Sequence, residues 1–346
     1  MKRLIRAALV LGLLGLVAAV AAGLWVRARL AEPYKAFAGE EVFVEIPQGE
    51  STLGIGRRLV EAGVVRDEWT FRLAWRWSGQ GRTLKAGEYR FTEALSPVAV
   101  LDRVARGEVF LIALTFPEGL TADEMGDLFA RAGFGTREAF VTAAAVPDAI
   151  RDLDPAADTL EGYLFPDTYH LPRSTTAEAL VGRMVRRFRE VFDEAWAKDA
   201  AARGLSVRQL VTLASLVEKE TARSEERGIV SAVYNNRLRI GMPMQCDPTV
   251  IYALKLAGRW DGNITRDDLQ FDSPYNTYRY PGLPPGPIAQ PGRASLEAAA
   301  RPEGSTALYF VSRNDGSHVF SDTLEQHNRA VREWQIEYFR RQRQQR

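Results

Sequence analysis

The chain has 346 residues, 46% of them hydrophobic and 26% charged, with 45 basic against 44 acidic side chains. That length allows roughly two or three modest domains, and a formal charge of +1 lacks the basic surplus that marks a nucleic-acid binder. A single cysteine, Cys246, excludes a disulfide framework but not an extracytoplasmic location, because a chain with an adequate core needs no bridges.

Lys2, Arg3 and Arg6 precede an uncharged run from Ala7 to Val26, after which Arg27 and Arg29 follow. At ~1.5 Å per residue such a run just crosses the ~30 Å hydrocarbon layer of a bilayer. Ala19-Val-Ala21 has the small-x-small form of a signal-peptide cleavage site, but the apolar run continues past it to Trp25, an interfacial residue type. A retained single-pass anchor is therefore expected over residues 1–30. The basic N-terminus would lie in the cytoplasm and the rest of the chain outside the inner membrane.

Residues 41–109 read as a small α/β module. Glu41 to Ile46 alternates as a strand, and Ser51 or Thr52 can cap a helix carrying Ile55, Leu59 and Val60. Asp67 can cap a second helix over 68–77, broken at Gly79-Gln-Gly81, before a second strand within Leu84 to Phe91 and a last helix from about Pro97 that ends at Gly107. The order strand, helix, helix, strand resembles the LysM-like arrangement that grips glycan. By residue physics alone, its aromatics are more often core than sugar platforms.

Beyond it, Leu111 to Phe116 is strand-like, Thr121 caps a helix to Ala132, and another short helix covers Arg137 to Ala145. Ser174 or Thr175 is expected to open one long helix to about Lys198. Its arginines are balanced by acids, as on a solvated face. Ser206 caps the most informative stretch, in which Leu210, Leu213, Ala214 and Val217 repeat at helical spacing and Glu218 and Glu220 close the last turn. A carboxyl group there lies at the negative end of the helix dipole, which favours its protonated form. The two glutamates point roughly 160° apart, so they cannot face one ligand together. One is free for chemistry and the other suits an ion pair. Spacing does not say which. The next helix, Glu225 to Leu238, offers Arg227 and Arg237 as partners for these acids.

Asp247 or Pro248 can start a further helix after the loop from Gly241. Asp272 to Gly292 then sets Tyr275, Asn276, Thr277 and Tyr278 on a proline-stiffened frame, a mixture suited to sugar faces and hydroxyls or to a structural wrap. Leu308 to Val311 and His318 to Phe320 form a hairpin through Asn314-Asp-Gly316, and a helix from Thr323 to Phe339 precedes a frayed tail over 340–346. The three histidines are scattered, so neither a metal site nor a cofactor is expected.

Several motifs together carry a family resemblance. They are Leu160-Glu-Gly-Tyr-Leu-Phe-Pro-Asp-Thr-Tyr169, Ala214-Ser-Leu-Val-Glu-Lys-Glu-Thr221, Asn236-Arg-Leu238, Gln245-Cys-Asp-Pro-Thr-Val-Ile-Tyr252, Tyr275-Asn-Thr-Tyr278 and Gly282-Leu-Pro-Pro-Gly-Pro-Ile288. With them the chain resembles the YceG-like, membrane-anchored endolytic murein transglycosylases over almost its whole length. The resemblance implies an α+β architecture: a transmembrane helix, the LysM-like module, and a mainly helical lysozyme-like catalytic domain with a small β part over 110–339.

It also makes Glu220 the catalytic acid, with Thr221 where related enzymes carry serine. Tyr163, Gln245, Asp247, Tyr275, Asn276, Thr277 and Tyr278 become substrate-binding candidates, and Glu218, Glu226, Arg227 and Asn236 supporting ones. The implied reaction cuts the bond between N-acetylmuramic acid and N-acetylglucosamine in nascent peptidoglycan strands, leaving 1,6-anhydromuramyl ends, beside the synthases of the elongation or division machinery. Cys246 departs from the family's small polar residue at its position. A muramidase-type hydrolase and a non-catalytic glycan-binding scaffold are the rival readings.

Overall fold

The computed structural model describes residues 2–79 and 83–344. It divides into two compact units, residues 1–112 with 170–173, and residues 113–169 with 174–346.

The first unit opens with α1 (Lys2–Ala31), whose stretch Leu9–Ala31 is long and apolar enough to cross a membrane and is exposed up to its last turns, where Leu30 is buried. Strand β1 (Val42–Ile46) pairs antiparallel with β2 (Gly87–Phe91), placing Val44 opposite Tyr89 and Val42 opposite Phe91. Between them lie α2 (Thr52–Glu61), capped by Ser51, and α3 (Glu68–Ala74), capped by Asp67. A π turn over Trp75–Gly79 extends α3; of the break expected at 79–81, Gln80 and Gly81 lie outside the described residues. Helix α4 (Pro97–Arg106) ends on left-handed Gly107. The strands bury alternate residues and the helices one stripe, so Val44, Ile46, Ile55, Leu59, Phe71, Tyr89, Phe91, Leu101 and Val104 close into one core.

Strands β3 (Ile112–Thr115) and β4 (Thr168–Leu171) form a second two-stranded sheet. The larger unit continues with α5 (Ala122–Arg131), held by a full capping box from Thr121 and Glu124, and α6 (Arg137–Ala144). The long helix expected to about Lys198 is two helices. Thr176, not Ser174 or Thr175, caps α7 (Ala177–Val191); the chain turns extended at Phe192, and Asp193 caps α8 (Glu194–Ala201). Phe192 stacks on Phe188 and meets Trp196 edge-on, so aromatic packing bridges a corner that helix periodicity cannot register.

At the centre stands α9 (Val207–Glu220), whose residues from Leu210 to Val217 are all buried. Ser206 and Gln209 form its capping box, while α10 (Arg227–Arg239) and α12 (Arg293–Ala300) pack beside it. A single 3-10 turn over Ser224–Glu226 precedes α10, so that helix starts later than expected. Helix α11 (Asp247–Leu256) begins at Asp247 with proline next, as the sequence implies. Strands β5 (Tyr309–Ser312) and β6 (His318–Ser321) make the expected hairpin, and α13 (Leu324–Val331) follows a Thr323 cap. The final helix is interrupted by a π turn over Arg332–Glu337 before α14 (Tyr338–Gln344), which carries helix into the stretch expected to fray.

Candidate active site

The two glutamates at the end of α9 have separate surroundings. Glu218 accepts the backbone N–H of Gly292 at 2.9 Å and lies 3.8 Å from the Arg227 guanidinium, so it is anchored to the start of α12. Glu220 turns the other way, onto the floor of a cleft of about 410 Å³. Thr221 ends the helix, with its hydroxyl and its N–H both on the Val217 carbonyl. Helix geometry thus commits one acid to a structural contact and leaves the other facing open space.

Three helices, one strand and two loops build the walls around Glu220. Helix α10 supplies Arg237, the loop before α11 supplies Met244 and Gln245, and α11 begins with Asp247. Tyr278 comes from the proline-stiffened loop, Tyr309 and Phe310 from β5, and Leu324, His327 and Asn328 from α13. Gln245 adopts φ +50°, a left-handed conformation that aims its neighbour Cys246 inward. That bend is tied down by Thr277, whose hydroxyl accepts the Cys246 N–H at 3.0 Å and lies 2.9 Å from the Thr249 hydroxyl. Asn276 shapes the same loop by donating to the carbonyls of Leu269 and Phe271. Thr277 and Asn276 are buried beneath the cleft and line none of it.

Glu220 reaches the cleft surface but is otherwise surrounded by protein. Burial raises its proton affinity above the ordinary glutamate range, and the nearby Asp247 carboxylate adds to the effect. Three groups oppose this: the Cys246 thiol, which donates to Oε1 at 3.2 Å, the imidazole of His318, and Tyr234. The Tyr234 hydroxyl is buried beside Glu220 and Cys246 without a partner at hydrogen-bond geometry. Cys246 is fully buried and its thiol is pushed well up, which keeps it protonated as a donor.

His318 is itself oriented. Its Nδ1 lies 2.7 Å from Glu226, whose other oxygen accepts the His318 backbone N–H at 2.9 Å, and its ring meets Phe310 edge-on. Asp247 is held by the Tyr278 hydroxyl, and that phenol is raised by burial and by the carboxylate it donates to. Arg237 does not pair with an acid of α9 as the sequence suggested. It donates to the carbonyls of Leu308, Pro243 and Met244 and so ties β5 to the Gln245 loop.

The remaining sequence candidates lie elsewhere. Tyr163 and Tyr275 border a second cavity of about 190 Å³ with Asp154, Arg208, Glu161 and Tyr252. Tyr163 is fully buried and donates to Asp154 at 2.7 Å, and Asn236 donates to the carbonyls of Ser305 and Ala307. Glu161 accepts the N–H of Ala122 and the Gln290 amide, and burial lifts its carboxyl to about 8. No cluster of three His, Cys, Asp or Glu able to hold a metal occurs among the described residues.

Sequence reasoning missed Tyr234, His318, Tyr309 and His327. The spacing of α10 marks Tyr234 only as a packing residue, and Glu226 and His318 are 92 positions apart. His327 carried a usable signal, since it follows a Thr323 cap by one helical turn and therefore shares a face with it.

A carboxyl of raised proton affinity that faces an open cleft suits proton transfer to an oxygen bound there. Comparison with known proteins bears on which oxygen. A family model described as the YceG-like family matches residues 44–333. The chain belongs to the YceG-like family. A family relative from Bacillus subtilis, an endolytic murein transglycosylase, is 31% identical over 87% of each chain. An endolytic murein transglycosylase of Streptococcus pneumoniae is 32% identical over 87% of this chain and 60% of its own length. The crystal structure of a YceG-like protein from Listeria monocytogenes superposes with a TM-score of 0.57 at 31% identity, covering 84% of this chain and 98% of that one.

Proposed function

We propose that this chain is an endolytic murein transglycosylase that cuts peptidoglycan glycan strands, with Glu220 as its single catalytic acid and base. The observation that carries the reading is the placement of Glu220: buried so that its proton affinity is raised, yet open to a cleft walled by aromatic and amide side chains. In the forward step Glu220 gives its proton to the glycosidic oxygen between N-acetylmuramic acid and N-acetylglucosamine, and the C1–O bond breaks. The resulting carboxylate then takes the proton of the muramyl 6-hydroxyl as that oxygen bonds to C1. The product carries a 1,6-anhydro ring, no water is consumed, and Glu220 regains its proton.

Two-carboxylate hydrolases place their second group about 5–9 Å from the acid to serve as nucleophile or water base. The acid nearest Glu220 in sequence on the cleft wall, Asp247, accepts the Tyr278 hydroxyl and suits an orienting role. Gln245 and Tyr278 would meet the sugar directly; Thr277 and Asn276 would act by holding the loops that carry them, and Glu226 by orienting His318 beside Glu220. Glu218, Arg227 and Asn236 would keep α9, α10 and α12 in register. The strand–helix–helix–strand order over 41–109 supports a LysM-like glycan grip ahead of a catalytic domain over 110–339. With α1 as a single-pass anchor, N-terminus inside, the cleft would work beside newly made strands and their synthases.

Mass spectrometry of peptidoglycan digested by the chain and by its Glu220→Gln variant tests the reading. Anhydromuramyl ends made by the unmodified chain alone are expected. Reducing ends would move the assignment to a hydrolase, and binding without cleavage by both would move it to a scaffold.

A further inference from the structure

The last turns of α1 pack on the first unit. Leu30 is buried, Arg29 pairs with Glu32 and lies 3.6 Å from Asp67, the cap of α3, and the Trp25 ring lies 6.0 Å from the ring of Trp69. If the uncharged run that ends at Val26 fills the ~30 Å hydrocarbon layer, Trp25 stands at its edge, where indole rings prefer to sit. A ring in contact with Trp25 then stands at the same depth.

What surrounds that point is unusual for a face turned to water. Trp69 is 51% exposed and Leu53 44% exposed, and they share a hollow of about 520 Å³ with Arg72 and Arg76. Trp77, 74% exposed, borders a neighbouring hollow with Arg27, Leu30 and Ala31. Glu68, the acid in the first turn of α3, is 3.7 Å from Arg57, which leaves the arginines of the hollows to set the local sign. Large exposed apolar rings interleaved with guanidinium groups are costly in water and suit a headgroup layer, where indole takes the boundary and arginine meets phosphate.

We propose that this face of the first unit is a second membrane contact, with Trp69, Trp77 and Leu53 seated among lipid headgroups and Arg72 and Arg76 on their phosphates. The proposal rests on the reading of α1 as a membrane span. The contact would hold the module flat against the bilayer instead of letting it swing on its anchor, and a protein occupant is the competing outcome.

The full chain reconstituted in vesicles of phosphatidylethanolamine and phosphatidylglycerol provides the test. A phosphatidylcholine brominated near the glycerol end of its acyl chains is added as a depth-limited quencher of tryptophan. Trp25, Trp69 and Trp77, with Trp75 in the same hollow as Trp69, should supply the lipid-quenchable fluorescence, so the W69F/W77F variant should lose about half of it. Failure of the chain to float with vesicles would remove the span and the proposal together. Flotation with unchanged lipid quenching in W69F/W77F, and with Trp69 and Trp77 open to acrylamide, would overturn the proposal while leaving the span intact. Loss of acrylamide access without lipid quenching would assign the face to a protein and overturn it equally.

Discussion

At Glu220, burial and Asp247 favour the protonated carboxyl, while Cys246, His318 and Tyr234 favour the carboxylate. On the proposed function the acid must be protonated to start the reaction, so its raised proton affinity would extend activity to higher pH than an ordinary glutamate would allow. Two substitutions should move the alkaline limb of the pH–rate profile in opposite directions. Cys246→Ser replaces a weak thiol donor by a hydroxyl that binds a carboxylate oxygen more closely, which favours the ionised form. Its limb should shift to lower pH. His318→Gln removes an imidazole that favours ionised Glu220, and its limb should shift to higher pH. Glu226→Gln should follow His318→Gln, because it loosens the same ring. A set of profiles that all keep the parent limb, with only their heights changed, would mean these groups shape the fold and not the proton affinity of Glu220.

The elements explain why one family motif lines none of the Glu220 cleft. Gly162 takes φ +88°, and a Cβ there would come within 2.5 Å of Pro287 and 2.9 Å of Val211. The Leu160–Tyr169 motif is therefore pressed between the proline loop and α9, with Gln290 donating to Glu161 and accepting the Leu164 N–H. Gly162→Ala should destabilise the larger unit by about 3 kcal/mol through strain and overlap, read as a lower midpoint in denaturant. Caps and periodic faces were legible because they are local: Ser206, Thr121 and Asp67 cap where the sequence placed them. The corner at Phe192 was not, since its stabilising ring contacts exist only once the helices have packed. The same limit applies to the site. Glu220, Gln245, Asp247 and Tyr278 were legible from motif chemistry and share one cleft, whereas Tyr163 and Thr277 looked like sugar contacts but are buried. Aromatic and hydroxyl residues serve both purposes, and only the direction of the side chain decides.

For the molecule as a whole, two units with separate cores should unfold in two heat-absorption transitions. Their pH dependence should differ. Glu161 belongs to the larger unit, and its carboxyl is lifted by burial to about 8 in the folded chain. Between the ordinary glutamate range and that value the folded state holds a proton that the unfolded state has released. The unfolded state then binds fewer protons, so stability falls as pH rises across this window; below it both states are protonated and the contribution is fully present. The transition of the larger unit should move to lower temperature from about pH 5 to about pH 8, and Glu161→Gln should flatten that slope, because an amide keeps the acceptor for Ala122 and cannot ionise. The first unit's transition should show no response to this substitution. Calorimetry of the chain and of Glu161→Gln across that pH range separates the outcomes. If the slope survives in the variant, a different acid governs the alkaline weakening, and Glu118, raised by burial and by Glu218, becomes the next to replace.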